Sequence, residues 1–76
     1  MEIPVLLEQL SEEDNWTATV PYVPECISEG ETPESAVKNL VEAIAALSTV
    51  TPDIYTRLQN PPHYLLTQVD ISPKST

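Results

Sequence analysis

The only glycine of the chain, Gly30, stands just ahead of a threonine–proline pair in the stretch Gly30-Glu-Thr-Pro-Glu-Ser-Ala36. This segment constrains the fold more than any other, because it sets where extended chain must give way to helix. Thr32 is a good N-cap. Pro33 suits the first helical position, where the amide has no intrahelical acceptor, and Glu34 puts negative charge beside the positive end of the helix dipole. Downstream, Val37, Leu40, Val41, Ile44 and Leu47 follow the i, i+3, i+4 rule with Ala36, Ala43 and Ala45 around them, which predicts an amphipathic helix over 33–48. Its apolar stripe is expected to be core or an interface between copies. Glu34 and Lys38, four residues apart, are expected to pair on the exposed face. Asn39 is expected to be an exposed helix amide, the alternative being a hydrogen bond to a strand end. Gly30 is the one residue here free to take positive φ without strain.

The chain before this point reads as strands. Ile3, Val5 and Leu7 alternate with Pro4, Leu6 and Glu8, so a first strand is expected over 2–10, with Pro4 marking an edge or a fraying start. Ser11 to Asn15 is a polar turn. Trp16, Ala18 and Val20 alternate with Thr17 and Thr19, giving a second strand over 16–21 that forms an antiparallel hairpin with the first. Pro21 and Pro24 then argue against a regular interior strand and predict a corner, followed by a short third strand over 26–28.

Beyond the main helix the start signal recurs at Thr51-Pro52-Asp53, predicting a short second helix over 52–59 with Ile54, Tyr55 and Leu58 on one side, stopped at Asn60-Pro-Pro62. A fourth strand is expected over 64–71, with Leu65, Val69 and Ile71 on one face. At 76 residues this is one domain, near the size where a single core is only marginally sufficient. With one cysteine it has no disulfide to compensate, so a homo-oligomer, dimer or tetramer, is expected.

Twelve acids against three bases give a formal charge of −9. Clustered Lys and Arg are what grip a phosphate backbone, so direct nucleic-acid binding is not expected. Acidity of this density serves solvation or attraction to a basic partner. No apolar run is long enough to span a membrane, and the start MEIPVLLEQLSEED has no basic-plus-apolar leader, so the expected location is cytoplasmic. One glycine forbids a glycine-rich phosphate loop, and one cysteine with one histidine forbids a zinc cluster. Cys26 is expected to be a buried apolar side chain and His63 a surface loop residue. The carboxylates group as Glu12, Glu13 and Asp14 in the first turn, then Glu25, Glu29, Glu31 and Glu34 around the third strand and helix entrance. A two-metal nuclease needs carboxylates converging on rigid elements. Glu8 is the one acid well placed for that, with Asp70 or Glu42 as its only complements. No catalytic residue, metal site or cofactor is therefore assigned.

The segment Ala18-Thr-Val-Pro-Tyr-Val-Pro-Glu-Cys26-Ile-Ser-Glu-Gly30-Glu-Thr32-Pro-Glu-Ser-Ala36, followed by Asn39 and Glu42-Ala-Ile44, resembles the HicB-like antitoxin family over about Trp16 to Leu47. That family's pattern is A-S-V-P-x-L-P-G-C, then a short strand, G-x-T, a helical E-A and N-x-x-E-A-I. The resemblance implies an α+β fold, a β-β-β-α-β partial ribonuclease H-like sheet in strand order 3-2-1-4 with helices on one face and no catalytic site. It also implies a module that binds and blocks HicA, a small basic toxin that cleaves messenger RNA. Two departures bear on this. Pro24-Glu25-Cys26 replaces Pro-Gly-Cys, so Glu25 must avoid positive φ or accept strain. The C-terminal DNA-binding domain of many such antitoxins has no counterpart here, so operator binding is not carried over.

Three readings follow. The first is a non-catalytic antitoxin that occludes a basic HicA-type toxin, with partner contacts expected at Glu12, Glu13, Asp14, Glu29 and Glu31. The second is a standalone regulatory or adaptor protein of the same fold with a different protein partner. The third is a divergent metal-dependent nuclease using Glu8 and Asp70.

Overall fold

The computed structural model describes residues 1–10, 12–63 and 67–73. Its elements follow in the order β1 (Leu6–Glu8), β2 (Trp16–Val20), β3 (Val23–Gly30), α1 (Pro33–Leu47) and α2 (Ile54–Leu58). The fold is α+β: a three-stranded antiparallel sheet in the order β1-β2-β3, a main helix and a short one. Ala18 and Val20 of β2, Val23 and Cys26 of β3, Ala36, Leu40 and Ile44 of α1, and Ile54 and Leu58 of α2 make one core, so both helices serve the same side of the sheet. Several of these nine side chains are small, which keeps the core near the lower limit for a lone domain.

β2 behaves as its alternation demands, with Ala18 and Val20 fully buried and Thr17 and Thr19 turned to the other face. β1 is shorter than expected. Pro4 has no N–H to give a ladder, and only Leu6 to Glu8 pair with β2, opposite Thr19 to Thr17. Ile3 and Val5, ahead of the strand, still pack against the core. The connection to β2 is tied by Glu13 N–H donating to the Leu10 carbonyl at 2.9 Å and Gln9 Nε2 donating to the Asp14 carbonyl at 3.1 Å.

β3 is longer than expected and contains Pro24. Val20 pairs with Val23 around Pro21 and Tyr22, while the next pair is Thr19 with Ile27, leaving Pro24, Glu25 and Cys26 as a bulge. Proline is tolerated there because the bulge makes no regular ladder bond and β3 is a sheet edge. No described residue has positive φ, so the turn at Pro21 is not one of the primed types whose twist matches a hairpin. The bulge absorbs the mismatch. Glu25 accordingly avoids the strain that replacing a glycine could have imposed.

Gly30 does not take positive φ either. Its requirement is space. A Cβ at this position would overlap the Ala36 backbone nitrogen and Ser35 Oγ, and would lie 2.7 Å from the Ser35 carbonyl carbon. The end of β3 therefore runs directly against the first turn of α1. That turn is capped reciprocally: Ser35 N–H donates to Thr32 Oγ1 at 3.0 Å, and Thr32 N–H donates to Ser35 Oγ at 3.0 Å.

Along α1 the buried residues are Ala36, Leu40 and Ile44, with Leu47 half-buried. Val41 is 62% exposed, contrary to its expected place in the stripe. Each helical residue turns about 100°, and a three-stranded sheet covers only a narrow strip, so Val41 falls outside it. Glu34 and Lys38 form no ion pair; the one found among the described residues joins Arg57 to Glu25. α2 starts later than expected. The Thr51 carbonyl accepts from Ile54 N–H at 3.0 Å, making Thr51 to Ile54 a turn, and Asp53 is the N-cap without a side-chain bond. Ile54 and Leu58, four apart, are both buried, and Tyr22 Oη donates to the Leu58 carbonyl at 2.5 Å. Asn60 Nδ2 donates to the Thr56 carbonyl at 2.6 Å, where the prolines end the helix.

The fourth strand expected over 64–71 is not present in its described part. Residues 67–71 have no regular structure, with Val69 and Ile71 72% and 80% exposed, and residues 64–66 lie outside the described residues. Alternation suits a strand but creates one only where a neighbouring edge supplies the ladder bonds.

The close approach at Gly30 predicts that Gly30→Ala destabilises the fold by about 1–3 kcal/mol, as overpacking against backbone does. Urea unfolding followed by circular dichroism should show a lower midpoint at unchanged slope; an unchanged midpoint would mean that the helix can move away without cost.

Candidate functional site

The β2–β3 hairpin folds the chain back so that Glu29 lies opposite Thr17, at the end of the sheet from which the β1–β2 connection emerges. As a result Glu13, Asp14 and Asn15 line one open depression together with Glu29. The sequence separated these acids into two groups; the antiparallel register merges them. Glu12 and Glu31 are exposed but do not line the depression. None of the five has a cation within ion-pair distance among the described residues.

Rigid elements hold Glu29 in place. Asn39 Nδ2 on α1 donates to the Glu29 carbonyl at 2.7 Å, so the strand-end reading of Asn39, the less expected of the two, is the one observed. With Gly30 against the first turn of α1, this bond fixes the strand end to the helix. The carboxylates themselves stand in water, where a close pair of unit charges interacts by only about 1 kcal/mol. Their collective effect is a negative field that acts at longer range.

Among the described residues no group of three or more His, Cys, Asp or Glu side chains could hold a metal ion, so Glu8, Glu42 and Asp70 do not complete a cluster. His63 is exposed, as expected. Cys26 is 1% exposed within the core, and burial first, then the negative charge of neighbouring Glu25, push its thiol above the ordinary value. It packs in the core as a small apolar side chain.

Sequence reasoning missed one pair. Arg57 Nη1 donates to Glu25 Oε2 at 2.8 Å, joining the β3 bulge to α2, with both side chains substantially exposed. The hydrogen bond from Arg57 is the main cause holding the Glu25 carboxyl below its ordinary value. Nothing in a separation of 32 residues signals such a contact.

Compared with known proteins, the chain matches no family model, no curated protein and no solved structure. No helix among the described residues is long and apolar enough to cross a membrane.

Because the folded Glu25 carboxyl titrates below its unfolded value, the pair stabilises the fold above the ordinary carboxylate range and the contribution is lost as pH falls through the depressed value. Glu25→Gln should therefore lower the urea midpoint slightly at neutral pH, as expected for an exposed pair. The two midpoints should converge in acid. A difference that persists at low pH would assign the effect to packing instead.

Proposed function

We propose that this chain is a non-catalytic protein-binding module, a HicB-like antitoxin of partial ribonuclease H-like fold that neutralises a small basic HicA-type toxin by covering the surface the toxin uses to bind RNA. The observation that carries the reading is the depression where Glu13, Asp14 and Glu29 meet, on a chain of formal charge −9. An acidic surface speeds encounter with a basic ribonuclease and competes with RNA for the same cationic groups. The sheet and capped helix supply the first four elements of the β-β-β-α-β order that the resemblance implies, and the Pro-Glu-Cys departure is accommodated without positive φ.

A cytoplasmic location fits a thiol that is free and buried, since reducing compartments leave cysteines unpaired. A dimer or tetramer is part of the same proposal. Its support is the small core and an apolar depression lined by Met1, Ile3, Val41, Ile44, Tyr55 and Leu58, where a second copy would add burial. Sedimentation at micromolar concentration should give more than the monomer mass of 8.4 kDa; a stable monomer overturns this part alone.

The test of the antitoxin reading is binding to a HicA-type toxin by calorimetry across a salt series. Changing Glu12, Glu13 and Asp14 together to Ser should weaken binding and flatten its dependence on salt. Equal affinity and equal slope for variant and wild type would remove the acidic turn from the interface.

A further inference from the structure

We propose that the sheet face turned away from α1 is the docking surface for the basic partner, with Leu6 and Ile27 as its apolar anchors; this deepens the reading of the chain as a binder of a small basic protein and rests on it. The register determines what that face carries. Leu6 lies opposite Thr19, and Thr19 opposite Ile27, so the three form one row across the sheet. Glu8, Thr17 and Glu29 form the neighbouring row. Because Ala18 and Val20 point into the core beneath the helices, both rows point the other way.

Leu6 and Ile27 are 48% and 51% exposed, although both lie within the ladder and neither contributes to the core. Two large aliphatic side chains flanking a threonine on an uncovered sheet form the kind of apolar centre that protein interfaces bury. One side of this centre is acidic. Glu8 and Glu29 stand in the adjoining row, and the depression that Glu29 lines with Glu13 and Asp14 continues it. The three strands contain no Lys, Arg or His. Lys38 is on α1, which packs on the opposite face, and Arg57 is engaged with Glu25.

This charge pattern selects the occupant. A second copy would bring Glu8 and Glu29 against the same acids, and a nucleic acid would bring phosphates. A protein surface with an apolar knob beside Lys or Arg meets both features: the knob covers Leu6 and Ile27, and the cations face Glu8, Glu29, Glu13 and Asp14. Such a partner gains its affinity from the aliphatic centre and its encounter rate from the rim.

The test is amide mapping by NMR on the labelled full chain, titrated separately with a HicA-type toxin and with a synthetic helical peptide of Leu and Lys. Both should shift the amides of Leu6, Thr17, Thr19 and Ile27. Leu6→Lys and Ile27→Lys should each weaken toxin binding by about tenfold or more, whereas Val50→Lys, in the exposed connection after α1, should stay within about twofold. Shifts confined to α1 and α2, or full affinity in both sheet variants, overturn the docking face and leave the antitoxin reading intact. A toxin that does not bind while the peptide maps to the sheet face overturns the antitoxin reading and supports the face. The mapping uses the unaltered chain, so the answer does not depend on the variants folding.

Discussion

The contact on which the rest of the structure depends is the approach of the β3 end to the first turn of α1 at Gly30. There is no room for a Cβ between strand and helix, so the two backbones meet directly. The Thr32–Ser35 capping box satisfies amides that would otherwise be orphaned at that end of the helix, and Asn39 holds the Glu29 carbonyl from the next turn. Together these bonds aim α1 across the sheet so that Ala36, Leu40 and Ile44 reach the side chains of β2 and β3. Moving the strand end away by the width of a methyl group would displace the helix from a core that has little apolar area to spare.

A second junction works differently. The β3 bulge presents Cys26 to the core and Glu25 to solvent, and α2 seals that end with Ile54 and Leu58. Tyr22 bonded to the Leu58 carbonyl and Arg57 bonded to Glu25 connect the hairpin turn and the bulge to a helix of only five residues. A helix so short has almost no stability of its own, so tertiary contacts hold its conformation. The prolines that looked like strand breakers mark this region: Pro21 shapes the turn and Pro24 sits where the ladder is already interrupted.

The architecture separates two kinds of surface. The side carrying the helices holds the core, with an apolar depression at Val41 and Tyr55. Among the described residues no helix packs on the other side, which carries aliphatic residues in one row and acids in the next. A net charge of −9 would be a solubility device if spread evenly. Here the hairpin register gathers part of it beside exposed Leu6 and Ile27, which ties charge to a place on the fold and is the ground for proposing a basic protein as its occupant.

Local sequence determined the elements whose causes are local. The start of α1 was legible because Thr32, Pro33 and Glu34 act within one turn, and β2 because its alternation matches the pleat. The polar character of the first turn and the buried state of Cys26 were legible for similar reasons. What only the tertiary structure decided involves residues far apart in the chain. It turned Gly30 from a question of φ into one of space, let β3 run through Pro24 by way of a bulge, and placed Val41 outside the covered strip. It left residues 67–71 without a strand partner, joined Glu25 to Arg57, and put Glu13 and Asp14 beside Glu29. The physical reason is the same in each case. Propensity and capping act over about four residues, whereas free space, strand register and charge proximity are set by which elements pack together.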